Sequence, residues 1–335
     1  MTGRPPMFGE VHKDKNLWKR LVRQVEGVTD ERVLISSEFF SEAKAGKVRR
    51  IVKDMGGDQV HIVVTLRPLS KVLPAQWQQY VQSGLRVGYE EWLDGLFNKP
   101  PYTWPSPTFW RRHHQAELVE RWARVVGPEN TTVIAIDDSD REMLLRSFEN
   151  LLDLPENFLV PDESQGNRSL SYGETELLRN FNIQFKGSGW RKRLYGPYVR
   201  RGAVRTMKTA YQPPRDEAVI PTPEWAVQRA AKLGAESAET IASLGVRVVG
   251  DLTVLEEFPE GRVGTPDPVP KVDSRAAAHA VFGAIAASGD QHPESVPLQK
   301  RRLAYVSTRE LTQELRERCV KKIRSRFQRS TKKKA

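Results

Sequence analysis

One cysteine, Cys319, stands in a chain of 335 residues. A single thiol excludes a disulfide framework and a cysteine-built zinc site, and it fits a reducing cytoplasm. Long apolar runs are missing too, and none approaches the ~18–20 residues that a membrane span needs. The first ten residues hold Gly, Pro and Arg without an apolar stretch, so they do not read as a secretory signal. No unit recurs at a period of ~20–50 residues, which argues against a solenoid or a propeller. The phosphate-cradling motif Gly-x-x-x-x-Gly-Lys is also absent.

Positive charge is abundant but confined. The formal net charge is +11, and residues 300–334 contain 14 Lys/Arg against 3 Glu, so residues 1–299 sum to zero. The basic character therefore belongs to the tail. Within it Leu311, Leu315, Cys319, Ile323 and Phe327 recur every four residues amid Lys and Arg, which predicts a basic amphipathic helix over residues 308–329. That stripe can pack on the body, on a partner or on an anionic surface. No recognition fold or aromatic platform accompanies it, so any nucleic-acid contact is expected to be nonspecific.

The first 150 residues alternate β-branched runs with helical patterns. Residues 32–36, 61–66 and 132–136 read as strands, and helices are predicted over residues 16–26, 40–54, 73–83 and 109–126. Apolar strands alternating with helices mean a parallel sheet covered on both faces, with functional loops at the carboxyl ends of the strands. Farther on, Ser171 and Glu174 form a capping box that opens a helix to about residue 182. A helix over 224–244, a short strand over 246–249 and a Pro/Gly/Asp-rich linker follow. A small Ala-rich helix over 274–287 completes the series. The domain reading is an α/β unit over 1–255, a linker over 256–273 and a helical basic extension over 274–335.

Two strand ends suggest chemistry. The segment Ile35-Ser36-Ser37-Glu38-Phe39-Phe40 sets a carboxylate at one carboxyl end. Thr65-Leu66-Arg67-Pro68-Leu69 sets a guanidinium at another, just ahead of a helix with Pro74 in its first turn. An Arg beside a helix N-terminus suits an anion, because its fork and the free N–H groups both point at it.

These segments, with Leu73-Pro74-Ala75-Gln76-Trp77-Gln78-Gln79-Tyr80, Tyr89-Glu90-Glu91-Trp92-Leu93, Asn167-Arg168-Ser169-Leu170 and Val248-Val249-Gly250-Asp251-Leu252, resemble bacterial, chiefly actinobacterial, sulfotransferase-like proteins over about residues 1–255. The resemblance implies a P-loop-kinase-like α/β fold. It also implies transfer of a sulfuryl group from 3′-phosphoadenosine 5′-phosphosulfate (PAPS) to a hydroxyl or amine, without a metal. The acceptor would be a carbohydrate, a lipid or a small metabolite. On this resemblance Arg67 matches the Arg that holds the 3′-phosphate, Glu38 occupies the place of the acceptor-activating base, and Arg168 is a late Arg that reaches the cofactor. Eight residues after Arg67, where the family has Ser, stands Ala75. The family's first strand and its Lys-Thr-Gly-Thr-Thr-like loop have no counterpart here. About 40 further residues are therefore expected upstream, estimated from ordinary βα-unit lengths. That expectation leaves a start placed too far downstream, or a truncated and inactive product.

Each candidate has a plainer reading. Glu38 also suits a helix N-terminus, and Arg67 a surface ion pair. Arg168 also suits a turn and cap, and Trp77, Gln78 and Tyr80, one of which could face adenine or the acceptor, also suit core packing. The Pro- and aromatic-rich residues 97–107 serve equally as a lid over the acceptor or as a connector. His113 and His114 are adjacent, point about 100° apart on a helix and cannot share a metal. The Gly-rich basic residues 186–193 follow a helix rather than a strand and make a poor phosphate cradle. The alternatives to a sulfotransferase are a non-catalytic truncated homologue, or anionic-surface binding through residues 300–335.

Overall fold

The computed structural model describes residues 16–29, 31–161, 168–214, 219–258, 263–267 and 270–289. The basic tail, including the predicted helix over 308–329, and Asn167 lie outside the described residues. The chain forms a mixed α/β structure around a three-stranded parallel sheet in the order β1 (Ile62–Leu66), β2 (Thr131–Ala135), β3 (Arg247–Val249). Ile62 is level with Thr131 and Thr132 with Arg247. The middle strand β2 is buried at all five positions, as expected of a β-branched run covered on both faces. Among the described residues no helix is long and apolar enough to cross a membrane.

Helices α1 (Leu17–Glu26), α2 (Ala45–Asp54), α3 (Leu69–Gln82), α4 (Tyr89–Phe97), α5 (Phe109–His113) and α6 (Gln115–Val126) surround the first two strands in sequence. They are followed by α7 (Met143–Leu152), α8 (Tyr172–Gly187), a π-helical stretch Tyr195–Val204, α9 (Arg205–Ala210), α10 (Glu224–Ser243) and α11 (Ser274–Gly289). Two apolar cores result. Val64, Leu66 and Val133 of the sheet pack with Val48, Val119 and Ile241. A larger helical core holds Trp77, Trp92, Phe109 and Tyr195, all essentially without exposure. Deletion of such a side chain leaves a cavity that the surroundings fill only partly.

Several sequence expectations need correction. Residues 32–36 form no strand and join no ladder among the described residues, and Val33 and Leu34 are 46% and 60% exposed. β-branched residues favour a strand only where a neighbour supplies the ladder, and here Arg32 instead reaches Asp153 at 2.7 Å. The helix predicted over 40–54 is divided into a 3₁₀ turn, Glu38–Glu42, and α2, with Ala43 and Lys44 extended between them. The one predicted over 109–126 breaks at His114 into α5 and α6. That break turns Gln115 so that its Nε2 donates to the Arg67 carbonyl at 2.7 Å. Helix α3 starts at Leu69, so Pro74 is interior rather than in the first turn.

The segment after β3 is strapped to the body. Val263 bridges Thr222, and Tyr172 Oη donates to the Asp267 carbonyl at 2.9 Å. Helix α11 crosses the π-helical stretch so closely that a Cβ on Gly202 would lie 2.6 Å from the Gly283 carbonyl oxygen. Only glycine permits that approach.

Candidate functional site

A cleft of about 260 Å³ opens at the carboxyl end of β1. The strand ends at Leu66, Arg67 follows, and Pro68 turns the chain straight into α3. One helical turn after Arg67 the same helix brings Lys71 to the cleft, and another turn brings Ala75. Glu38, at the start of its 3₁₀ turn, stands at the rim. Lys208 of α9 and Ser169 of the segment before α8 enter from the helical side. Thus the cleft gathers Glu38, Arg67, Ala75 and Gln78, four positions singled out in the sequence, and adds Lys71, Ser169 and Lys208.

The cations near the sheet are not idle. Arg67 Nη2 donates to Asp138 Oδ1, and Lys71 Nζ lies 3.3 Å from Asp138 Oδ2 and 2.7 Å from Glu257 Oε2. Asp138 belongs to the loop after β2, so two neighbouring strand ends meet through this pair. Burial raises the Asp138 pKa, but the Arg67 and Lys71 charges outweigh it and hold the carboxyl below its ordinary value. For Lys71 burial acts downward, and the two carboxylates overcome it and raise the ammonium. Lys208 is shifted the other way: burial and the neighbouring Arg168 charge lower it, against Glu174.

Arg168 itself does not line the cleft. Its Nη1 and Nη2 donate to the two oxygens of Glu174 at 2.8 and 2.7 Å. Its remaining N–H groups reach the carbonyls of Ser169, Met207 and Tyr211. All five guanidinium donors are therefore engaged. Glu174 also closes the capping box with Ser171, so the charge pair and the start of α8 are one construction. Gln78 completes it, because its amide both accepts from Leu170 N–H at 3.1 Å and donates to the Leu170 carbonyl at 2.6 Å. That clamp holds Ser169 against α3 at the cleft wall.

Glu38 is exposed and lies 3.9 Å from Arg112, whose guanidinium sits at 2.5 Å from Glu42 and over the Phe39 ring. Trp77 is core, donating to the Val87 carbonyl at 3.1 Å. Tyr80 is mostly buried, and desolvation pushes its hydroxyl up to about 12. Residues 97–107 fold back on α4, where Ser106 accepts from Trp92 Nε1 at 2.9 Å, and they do not line the cleft. Neither do the Gly-rich residues 186–193, at and beyond the end of α8. Among the described residues no group of three His, Cys, Asp or Glu is arranged to hold a metal.

Comparison with family models, curated proteins and solved structures finds no match.

His113 connects the cleft wall to the core. Its ring packs 4.7 Å from Phe109, and Nε2–H donates to Gln76 Oε1 at 3.1 Å. Burial, with the Arg112 charge, lowers its pKa to about 3, so the ring stays neutral at ordinary pH. The unfolded chain takes up a proton here below about pH 6.5, so this contribution to stability is complete above that pH and is lost as pH falls toward 3. The His113→Gln variant is expected to show a shallower loss of Tm between about pH 7 and pH 5 than the parent. An unchanged slope would show that other groups govern acid unfolding.

Proposed function

We propose that this cleft binds the phosphates of PAPS, and that the chain is a sulfotransferase-like protein with a P-loop-kinase-like parallel sheet. The observation that carries the reading is the gathering of Arg67, Lys71 and Lys208 with the Glu38 carboxylate around one opening at a strand carboxyl end. Open parallel sheets bind ligands at such ends, and an Arg fork with two ammonium groups suits a multiply charged phosphate. The lining offers glutamine amides, Gln79 and Gln82 among them, for the hydrogen-bonding edge of a purine.

In this reading Arg67 and Lys71 hold the 3′-phosphate, and Ser169 supplies a hydroxyl where Ala75 has none. Lys208 meets the ligand from the helical side, while Arg168 positions the wall that carries Ser169. Glu38 accepts the proton of the acceptor hydroxyl or amine as its oxygen or nitrogen bonds to sulfur. The bond from sulfur to the bridging phosphate oxygen breaks, and 3′-phosphoadenosine 5′-phosphate (PAP) leaves with that electron pair. Such transfers depend mainly on positioning and charge stabilisation.

A specific observation favours a second reading, a non-catalytic relative of the same fold. Arg67 and Lys71 already carry carboxylate partners, and Ala75 contributes no donor. Titration calorimetry with PAP separates the two. Binding to the parent that weakens by about tenfold or more in Arg67→Ala supports the transferase reading, since truncating a charged hydrogen-bond partner costs ~2–5 kcal/mol. Equal affinity in the two proteins would remove Arg67 from the site, and no binding to the parent would favour the non-catalytic relative.

A further inference from the structure

Asp138 occupies an unusual position for a loop carboxylate. One oxygen takes Arg67 and the other faces Lys71, the two cations that enter the cleft from the sheet side. Glu257, from the strap that follows the 3₁₀ turn Leu252–Glu256, completes the neutralisation of Lys71. Arg67 nevertheless keeps half of its side chain exposed and still lines the cleft, so an incoming anion reaches it from the solvent side. Asp138 stands in the loop after β2, and the Asx turn that shapes that loop uses its neighbour Asp137, which accepts from Ser139 N–H at 2.8 Å. The Asp138 carboxylate is thus free to leave Arg67 without undoing the turn.

We propose that Asp138 is a built-in competitor for the cleft: its carboxylate holds the place of a ligand phosphate on Arg67 and Lys71, and the ligand binds by displacing it. The inference rests on the preceding reading for the placement of the phosphate at Arg67, and it adds how that site is regulated. A site whose competent form is only partly populated binds with its intrinsic affinity reduced by that fraction. If Asp138 holds Arg67 in about nine molecules of ten, removing the carboxylate tightens anion binding about tenfold.

The test compares the parent, Asp138→Asn and Asp137→Asn by calorimetry with inorganic pyrophosphate and with PAP. Asp137→Asn makes the same change in net charge one residue away, at a side chain that bonds the backbone rather than Arg67, so it corrects for long-range attraction. The expected result is pyrophosphate and PAP binding about fivefold to tenfold tighter in Asp138→Asn and less than twofold changed in Asp137→Asn. Equal gains in the two variants, no gain in either, or no binding by any of the three would overturn the competitor. Pyrophosphate tightened by Asp138→Asn with no PAP binding at all would uphold the competitor and refute the PAPS reading. PAP bound by the parent, weakened by Arg67→Ala and unaffected by Asp138→Asn would do the reverse.

Discussion

Replacing Arg168 by methionine is expected to cost about 3–5 kcal/mol of folding stability, read as a lowered urea midpoint with no ligand present. Glu174 has no solvent exposure, and its two oxygens face the Arg168 guanidinium. Removing the cation leaves a buried carboxylate without its counter-ion, alongside carbonyls at Ser169, Met207 and Tyr211 that lose a donor. The double variant Arg168→Met/Glu174→Gln is expected to recover part of the loss. Its amide is neutral, and its carbonyl oxygen still accepts from Ser171 N–H. A single variant as stable as the parent would show that the pair contributes nothing net. It would return Arg168 to the reading in which it serves a ligand.

Gly234→Ala should also destabilise, although alanine is the better helix former. Gly234 lies within α10, against the 3₁₀ turn Leu252–Glu256 that follows β3. An added Cβ would stand 2.0 Å from the Leu255 carbonyl oxygen and 2.7 Å from its carbon, both backbone atoms. Helix propensity favours alanine by about 1 kcal/mol, whereas overpacking costs about 1–3 kcal/mol and more where backbone must move. A net loss of about 2 kcal/mol is expected, measured by chemical denaturation. A gain would mean that the turn yields freely and that α10 does not determine its position.

The sequence made some of this legible and hid the rest for identifiable reasons. The β-branched runs of β1 and β2 are strong because both strands bury apolar side chains. The Ser171–Glu174 box is local, so its four residues carry the whole signal. Arg67 could be found because a charged residue directly after an apolar strand is conspicuous, whereas Glu38 was singled out on a strand that does not form. Residues 32–36 misled, since a strand needs a neighbour and the pattern of five residues does not reveal one. Lys71 was within reach, one helical turn beyond Arg67. Ser169 and Lys208 were not, because only the folding of α8 and α9 onto α3, fixed by Gln78 and by the Arg168 construction, brings them to the cleft. Arg168 was a ligand candidate through the resemblance alone, and its pairing with Glu174 depends on the same folding of α8 and α9.

The register of the sheet also sets a schedule for synthesis. Thr132 pairs with Arg247, so β2 is made long before the strand that completes it. At ~5–20 residues per second, that interval is roughly 6–23 s. Through most of this time one edge of the most fully buried strand among the described residues has no ladder partner, and Ile241, which seals the sheet core, has not yet been made. Contacts so distant in sequence also form slowly once the chain is complete. The nascent protein therefore depends on whatever shields an open parallel edge on the ribosome, and ribosome-bound chains ending between β2 and α10 are its most aggregation-prone form.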